Sequence, residues 1–225
     1  MCRARNANAE SREEGLFLRF GVGVSVAHHA TSADAHEVIV DGSVTGTSDA
    51  RLAYTQDPGG FVGEIAAGWS FAPGLAVAGL YSVHAYRHAG YGTVSGDVRG
   101  VNAQASDDVS LAVYGALATY HPNPAGPFHL GLSAGYATLR WDNPFPLRAD
   151  ATRSSGFALG PEVGLEGYAG EGFWIGATAG VLVGRATKTL GDERHVFFAP
   201  SLLLTLVYSG RARGSSGTNW VGDGR

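Results

Sequence analysis

The sequence predicts an all-β protein, an eight-stranded antiparallel up-and-down transmembrane β-barrel. Three observations predict it: large apolar side chains recur at every second position in eight long segments, glycine is abundant, and short connections alternate with long ones. The chain has 225 residues, of which 34 are glycine and 16% are charged. Because glycine is unfavourable inside helices and soluble domains are usually about 25% charged, this composition disfavours a soluble helical protein.

The first predicted strand runs from Leu16 to Val26. Its large apolar residues occupy alternate positions, namely Leu16, Leu18, Phe20, Val22, Val24 and Val26. This period of two is typical of a strand with two unlike faces. The strand is longer than the usual globular strand of about 5–6 residues, and it fits a tilted membrane strand of about 9–11.

The same alternation recurs in seven further segments. Their large apolar residues, which we expect to face lipid, are Phe61, Ile65, Trp69 and Phe71; Leu75, Val77, Tyr81 and Val83; Val109, Leu111, Val113 and Leu117; Phe128, Leu130, Leu132 and Tyr136; Phe157, Leu159, Val163 and Leu165; Phe173, Ile175, Val181 and Val183; and Val196, Phe198, Leu202, Leu204, Leu206 and Tyr208. In the last segment Phe197, Leu203 and Val207 lie on the opposite parity, so its two faces differ less.

The connections between these segments alternate in length. Residues 72–74, 121–127 and 169–172 form short links rich in glycine or proline, whereas residues 29–59, 89–107, 142–155 and 187–194 form longer polar ones. Outer-membrane barrels have short turns on the periplasmic side and long loops outside. We therefore expect both chain termini to lie in the periplasm.

The small and polar parity carries the charges. Arg19, Glu64, Glu162 and Glu166 all occur on it. An eight-stranded barrel is just wide enough for its inward side chains to fill, and buried carboxylates are costly unless they are paired. We therefore predict a plugged lumen in which Arg19 pairs with one or two glutamates. The predicted polar network consists of Arg19, Glu64, His84, Tyr86, Tyr114, Tyr120, Glu162 and Glu166.

Aromatic residues gather near both ends of the predicted strands, for example Trp69 and Trp174 at the short-turn side and Tyr81 and Trp141 toward the long loops. Such rings favour the two interfaces of a membrane. With this feature, residues 15–209 resemble the small eight-stranded outer-membrane barrels typified by the OmpA transmembrane domain, OmpX and OmpW. The resemblance rests on the alternation and on the order of turns and loops.

The resemblance implies a location in the outer membrane of a Gram-negative bacterium. The function that we expect is non-enzymatic, in envelope integrity or surface interaction. A narrow OmpW-like channel for small or apolar solutes is the alternative, and a soluble lipocalin-like binder or a lipid-modifying barrel enzyme is a third possibility. For the enzyme, Ser82, His84 and Glu64 form the nearest hydrolase-like set, but neighbouring strand positions give such a set easily by chance. We predict no catalytic residues.

The flanks of the barrel are predicted to be separate segments. Residues 1–14 read as a disordered leader or the remnant of a signal peptide, because Ala7-Asn8-Ala9 has the form of a signal-peptidase site. A chance match in a leader is the alternative. Residues 210–225 read as a flexible tail. The single cysteine, Cys2, is interpreted as incidental.

The expected partners are outer-membrane lipids and lipopolysaccharide. Arg87, Arg140 and Arg185 lie on the lipid-facing parity near the long loops, where guanidinium groups could bind lipopolysaccharide phosphates. A solvated rim is the alternative. The long loops are candidates for binding an extracellular ligand, and we expect a monomer. A net charge of −4 offers no basic surface for a nucleic acid.

Histidines gather near the long-loop end, namely His28, His29, His36, His88 and His195. Neutral imidazole is a good metal ligand, so these histidines are candidates for a metal site. No acidic or cysteine partner has a suitable spacing. The sequence therefore predicts no metal site and no cofactor.

Overall fold

The computed structural model describes residues 12, 14–35, 38–40, 43–46, 50–56, 59–89, 107–141, 152–188 and 194–210. Twelve strands occur in this part of the chain: β1 (Gly15–Val26), β2 (His28–Ala35), β3 (Val38–Val40), β4 (Ser43–Gly46), β5 (Ala50–Gln56), β6 (Gly59–Ala72), β7 (Leu75–Ala89), β8 (Asp107–Tyr120), β9 (Phe128–Trp141), β10 (Thr152–Gly170), β11 (Phe173–Thr187) and β12 (Arg194–Gly210). Among the described residues, no helix is long and apolar enough to cross a membrane.

Eight of these strands form a closed antiparallel barrel. Each strand pairs with the next in the order β1, β6, β7, β8, β9, β10, β11 and β12. The barrel is closed by the pairing of β12 with β1. The closing ladder runs from Leu16 opposite Gly210 to Ser25 opposite Ser201. The predicted eight-stranded up-and-down architecture is therefore confirmed.

The first long connection carries strands of its own, which the sequence did not predict. β2 pairs with the loop-side end of β12, and β5 pairs with β2. β3 and β4 form a separate two-stranded sheet. The barrel wall thus continues on the long-loop side as an antiparallel pair of strands, β2 and β5.

The outer surface of the barrel is apolar. Phe61, Phe157 and Leu204 are 73%, 70% and 69% exposed, and many other large apolar residues of the wall are also exposed. A soluble monomer rarely exposes a contiguous apolar surface of this extent, because contact with water is unfavourable. The predicted direction of the alternation is correct for seven of the eight barrel strands.

The two faces of β8 are exchanged relative to the prediction. Val109, Leu111 and Val113 were expected to face lipid, but they are buried inside the barrel. Tyr114 and Tyr120 were expected in the lumen, but they are 51% and 50% exposed on the outer surface. The prediction failed because both faces of this segment are amphipathic: tyrosine suits a membrane interface, and the lumen accepts apolar side chains at this level.

The lumen is layered. An apolar cluster fills its loop-side half, comprising Ala27, Tyr86, Val109, Leu111, Val113, Ala137, Leu139, Ala158, Leu182, Ala186, Phe197 and Ala199. A second apolar cluster lies toward the short turns, comprising Phe17, Ala66, Ala76, Ala78, Leu80, Leu117, Trp174 and Val207. The charged inward side chains lie beside and between these clusters. The interior is therefore more apolar than the sequence suggested.

Candidate functional site: two charged clusters in the lumen

The first charged cluster, which we call the middle cluster, consists of Arg19, Glu64 and Glu162. Arg19 Nη2 donates a hydrogen bond of 3.0 Å to Glu162 Oε2, and Nη1 donates to Oε1 of the same carboxylate. Arg19 Nε lies 2.9 Å from Glu64 Oε1, an ion pair that lacks the alignment of a hydrogen bond. One fully buried arginine therefore serves two carboxylates, one of them in the bidentate geometry that guanidinium favours.

Strand register and glycine make room for the middle cluster. β1 places Arg19 beside Ala66 of β6, two positions from Glu64, and β10 places Glu162 opposite Gly131 of β9. A Cβ atom at position 131 would collide with the Glu162 carboxylate in its present position, so a larger residue there would displace this carboxylate. A cavity of about 30 Å³ adjoins both glutamates. That volume holds roughly two water molecules.

The second charged cluster, which we call the floor cluster, closes the short-turn end of the lumen. Its centre is Glu166 of β10, which is buried. Arg12 Nη2 donates to Glu166 Oε2 at 2.8 Å, and His121 Nε2 lies 3.4 Å from the same oxygen. His129 Nδ1 lies 3.3 Å from Glu166 Oε1. Here one carboxylate is shared by an arginine and two imidazoles.

Arg12 fixes the chain just before β1 against the turn at residues 121–127. Its Nη1 donates to the carbonyl oxygens of Pro124 and Gly126 at 3.2 and 2.8 Å. The guanidinium carbon lies 3.7 Å from the centre of the Trp174 ring, a cation–π contact. Burial lowers the pKa of the Arg12 guanidinium, and the hydrogen bond and charge of Glu166 oppose that shift. Arg12 falls within the predicted leader, yet it is part of the barrel floor.

A third polar group lies on the loop side of the middle cluster. Ser25 Oγ donates to the carbonyl oxygen of Pro200 at 3.0 Å and lies 3.0 Å from the Tyr86 hydroxyl. His84 Nδ1 lies 3.3 Å from Ser25 Oγ and 3.2 Å from the Tyr86 hydroxyl. The hydrogen bonds of His84 thus go to Ser25 and Tyr86, and Ser82 lies opposite Glu64 in the β6–β7 register. The described contacts therefore do not form the serine, histidine and carboxylate chain that a hydrolase needs.

The predicted site residues fall into four groups, and the first, Tyr114 and Tyr120, lies on the outer surface as described above. Six of the eight proposed lumen residues face the interior, namely Arg19, Glu64, His84, Tyr86, Glu162 and Glu166. Arg140 and Arg185 are exposed on the outer face near the long loops. The side chain of Arg87 lies outside the described residues.

The histidines near the long loops are separated by the fold. His29 and His195 are buried and stacked, with Nε2 of His29 3.0 Å from Nδ1 of His195. His28 is exposed on the outer face. His36 and the side chain of His88 lie outside the described residues.

Sequence reasoning missed Arg12, His121 and Trp174 as members of the floor. The alternation places His129 inward, between Phe128 and Leu130, but the sequence does not connect it with Glu166. The expectation that Trp174 lies at a membrane interface is wrong, because its ring is buried in the lumen; parity places it inward, since it alternates with Phe173 and Ile175. Arg12 and His121 lie outside the barrel strands, where the alternation carries no information.

The outer and inner surfaces of the barrel indicate the environment in which it is stable. A closed sheet with an apolar exterior and a polar, ion-paired interior leaves no unpaired strand edge within its wall and suits a bilayer. The chain is an outer-membrane β-barrel. This outer-membrane barrel has the predicted arrangement, with the turns at residues 73–74, 121–127 and 171–172 on one side and the long connections on the other.

No protein family and no curated protein sequence matches the chain of this outer-membrane barrel. Solved structures of similar fold include Neisserial surface protein A, with 18% identity over 85% of this chain and 97% of that chain and a TM-score of 0.45. OprG from Pseudomonas aeruginosa is 13% identical over 90% and 99%, with a TM-score of 0.48. The outer membrane protease OmpT from Escherichia coli is 9% identical over 90% and 100%, with a TM-score of 0.44.

Proposed function

We propose that this barrel is a closed, non-enzymatic component of the outer membrane that acts in envelope integrity or surface interaction. The observation that carries the proposal is the filled lumen. Arg19 is held by Glu64 and Glu162, and buried apolar clusters pack on the loop side and the short-turn side. These side chains lie in the interior at three levels, which supports a closed lumen rather than a water-filled path.

A stable plug is physically reasonable here. Removing one member of a buried ion pair leaves an uncompensated charge, which costs about 3–5 kcal/mol. A path through the lumen requires Arg19 to leave at least one carboxylate, and the adjoining cavity of about 30 Å³ holds too little water to replace it. The middle cluster therefore favours the closed state.

Conductance across a planar bilayer tests this proposal. We expect no unit conductance from the wild type, from Glu64→Gln or from Glu162→Gln. Glu171→Gln, in an exposed turn between β10 and β11, is the matched control. Reproducible channel steps in the wild type would contradict a closed barrel. Steps in the lumen variants alone would show that the middle cluster is a gate.

We also propose that the loop-side rim contacts lipopolysaccharide. Arg140 of β9 and Arg153 of β10 lie directly opposite each other, and both are exposed on the outer face. Two adjacent guanidinium groups can bind one phosphate together, because each presents paired N–H donors. Arg185 lies on the same outer face. This support comes from geometry and charge at the level where phosphates of the outer leaflet lie.

The test is the amount of lipopolysaccharide that co-purifies with the folded barrel. We expect less with the double variant Arg140→Gln and Arg153→Gln than with the wild type. The double variant Arg211→Gln and Arg213→Gln removes the same charge from the predicted tail and serves as the control. Equal amounts in both double variants would refute the contact.

A channel for small apolar solutes is the second candidate. It is favoured by the apolar loop-side lumen, which includes Leu111, Leu139, Leu182 and Phe197. Uptake of a small apolar solute into vesicles that contain the barrel distinguishes the two candidates. The closed barrel predicts uptake equal to that of empty vesicles, and faster uptake would favour the channel.

A further inference from the structure

We propose that the floor cluster is a binding site for a divalent transition-metal ion, with His121, His129 and Glu166 as ligands and Arg12 as a competing cation. All three ligand residues are buried, and one ligand atom from each lies within 4.8 Å of the others. Two imidazoles with one carboxylate form a common protein site for zinc. The site is independent of the proposed function, because neither a plug nor a surface contact requires it.

The distances suit a metal ion. Nε2 of His121 lies 3.4 Å from Glu166 Oε2, and Nδ1 of His129 lies 3.3 Å from Oε1 of the same carboxylate. Zinc with bonds of about 2.0–2.1 Å to tetrahedral ligands separates those ligand atoms by about 3.3 Å. The three residues therefore approach the spacing of a metal site.

His129 provides a second, independent observation. Its side chain is fully buried, and its Nδ1 has no hydrogen-bond partner among the described residues although the Glu166 carboxylate is adjacent. On the other side of the ring, Nε2 lies 3.5 Å from the hydroxyl of Thr178. If Nε2 carries the proton and donates it to Thr178, Nδ1 presents a lone pair to the site. Metal-binding histidines are commonly held in this way by a hydrogen bond from the other nitrogen.

Arg12 already supplies a positive charge to the carboxylate that the metal ion would bind. Its guanidinium lies 2.8 Å from Glu166 Oε2 and is supported by the carbonyl oxygens of Pro124 and Gly126. A metal ion on Glu166 competes with this ion pair, since both neutralise the same carboxylate. Metal binding should therefore loosen the chain around Arg12 from the turn at residues 121–127.

Titration of the full-length folded barrel with Zn²⁺ in detergent tests the site. We expect saturable binding of one ion, and a loss of affinity of at least about tenfold in His121→Asn, His129→Asn and Glu166→Gln. His195→Asn replaces an equally buried histidine at the loop side and should bind like the wild type. Heat-modifiable gel mobility establishes that each variant is folded.

Arg12→Ala tests the competition and should bind Zn²⁺ more tightly than the wild type. Unchanged or weaker binding in this variant would refute the role of Arg12. No saturable binding by the wild type or Arg12→Ala, or binding lost in His195→Asn but kept in Glu166→Gln, would overturn the site. X-ray absorption at the zinc edge needs no variant: two imidazoles in the zinc shell support the site, and a shell without histidine overturns it.

Discussion

The middle and floor clusters differ in their ratio of basic side chains to carboxylates. In the middle cluster one arginine is shared by two carboxylates, whereas in the floor cluster one carboxylate is shared by an arginine and two histidines. All members of the middle cluster lie within barrel strands. The floor cluster takes Arg12 from the chain before β1 and His121 from a turn. The first cluster is fixed by strand register, whereas the second also depends on contacts between the chain before β1 and a turn.

The largest expected difference between the clusters is the effect of removing their arginines. Arg19→Met leaves Glu64 and Glu162 without a counter-charge, and we expect it to lower the free energy of unfolding by about 3–5 kcal/mol. Urea unfolding in lipid vesicles measures this change. Arg185→Met, on the exposed outer face, is the control and should change stability by less than about 0.5 kcal/mol. A loss from Arg19→Met as small as that of the control would show that the middle cluster is not ion-paired.

The two glutamates of the middle cluster should differ. Glu162 accepts aligned hydrogen bonds from Arg19, whereas Glu64 forms an unaligned ion pair. We expect Glu162→Gln to cost about 1.5–3 kcal/mol, because a hydrogen bond to a charged group is lost. Glu64→Gln should cost less, since it removes an unaligned ion pair and keeps the hydrogen bonds between Arg19 and Glu162. The reverse order in urea unfolding would contradict this division of roles.

The smallest expected effect comes from the floor. Arg12→Met removes a hydrogen bond to Glu166 and the cation–π contact with Trp174, yet His121 Nε2 remains 3.4 Å from the carboxylate and can still donate to it. We expect a loss of about 1–2 kcal/mol in the same urea assay. A loss equal to that of Arg19→Met would mean that the floor is as rigid as the middle cluster.

These two clusters also show which parts of the fold and of the site could be predicted from the sequence. Strand alternation was enough to predict the closed barrel and to place Arg19, Glu64 and Glu162 on one face, because side-chain direction in a strand depends only on parity. Parity failed for β8, where Tyr114 has an apolar ring with a polar hydroxyl and Leu111 lies in an apolar part of the lumen. A strand whose two faces are both amphipathic gives no clear direction.

The floor cluster could not be predicted from strand alternation, for a different reason. Arg12 and Glu166 are separated by 154 positions, and only barrel closure brings them together. His121 is placed by its backbone N–H, which donates to the carbonyl oxygen of Gly74 in another turn at 2.7 Å. Contacts between turns depend on exact register and turn geometry, which the alternation of apolar residues does not specify.

The central claim is that the apolar face of the barrel contacts hydrocarbon. Leu204 is 69% exposed and lies near the middle of β12, so Leu204→Arg measures this contact most directly. Thr187→Arg, on the exposed face at the loop-side end of β11, is the control. In lipid vesicles we predict that Leu204→Arg lowers the free energy of unfolding by about 2–4 kcal/mol and Thr187→Arg by about 0–1 kcal/mol. Equal stability of Leu204→Arg and the wild type would contradict a bilayer around this barrel.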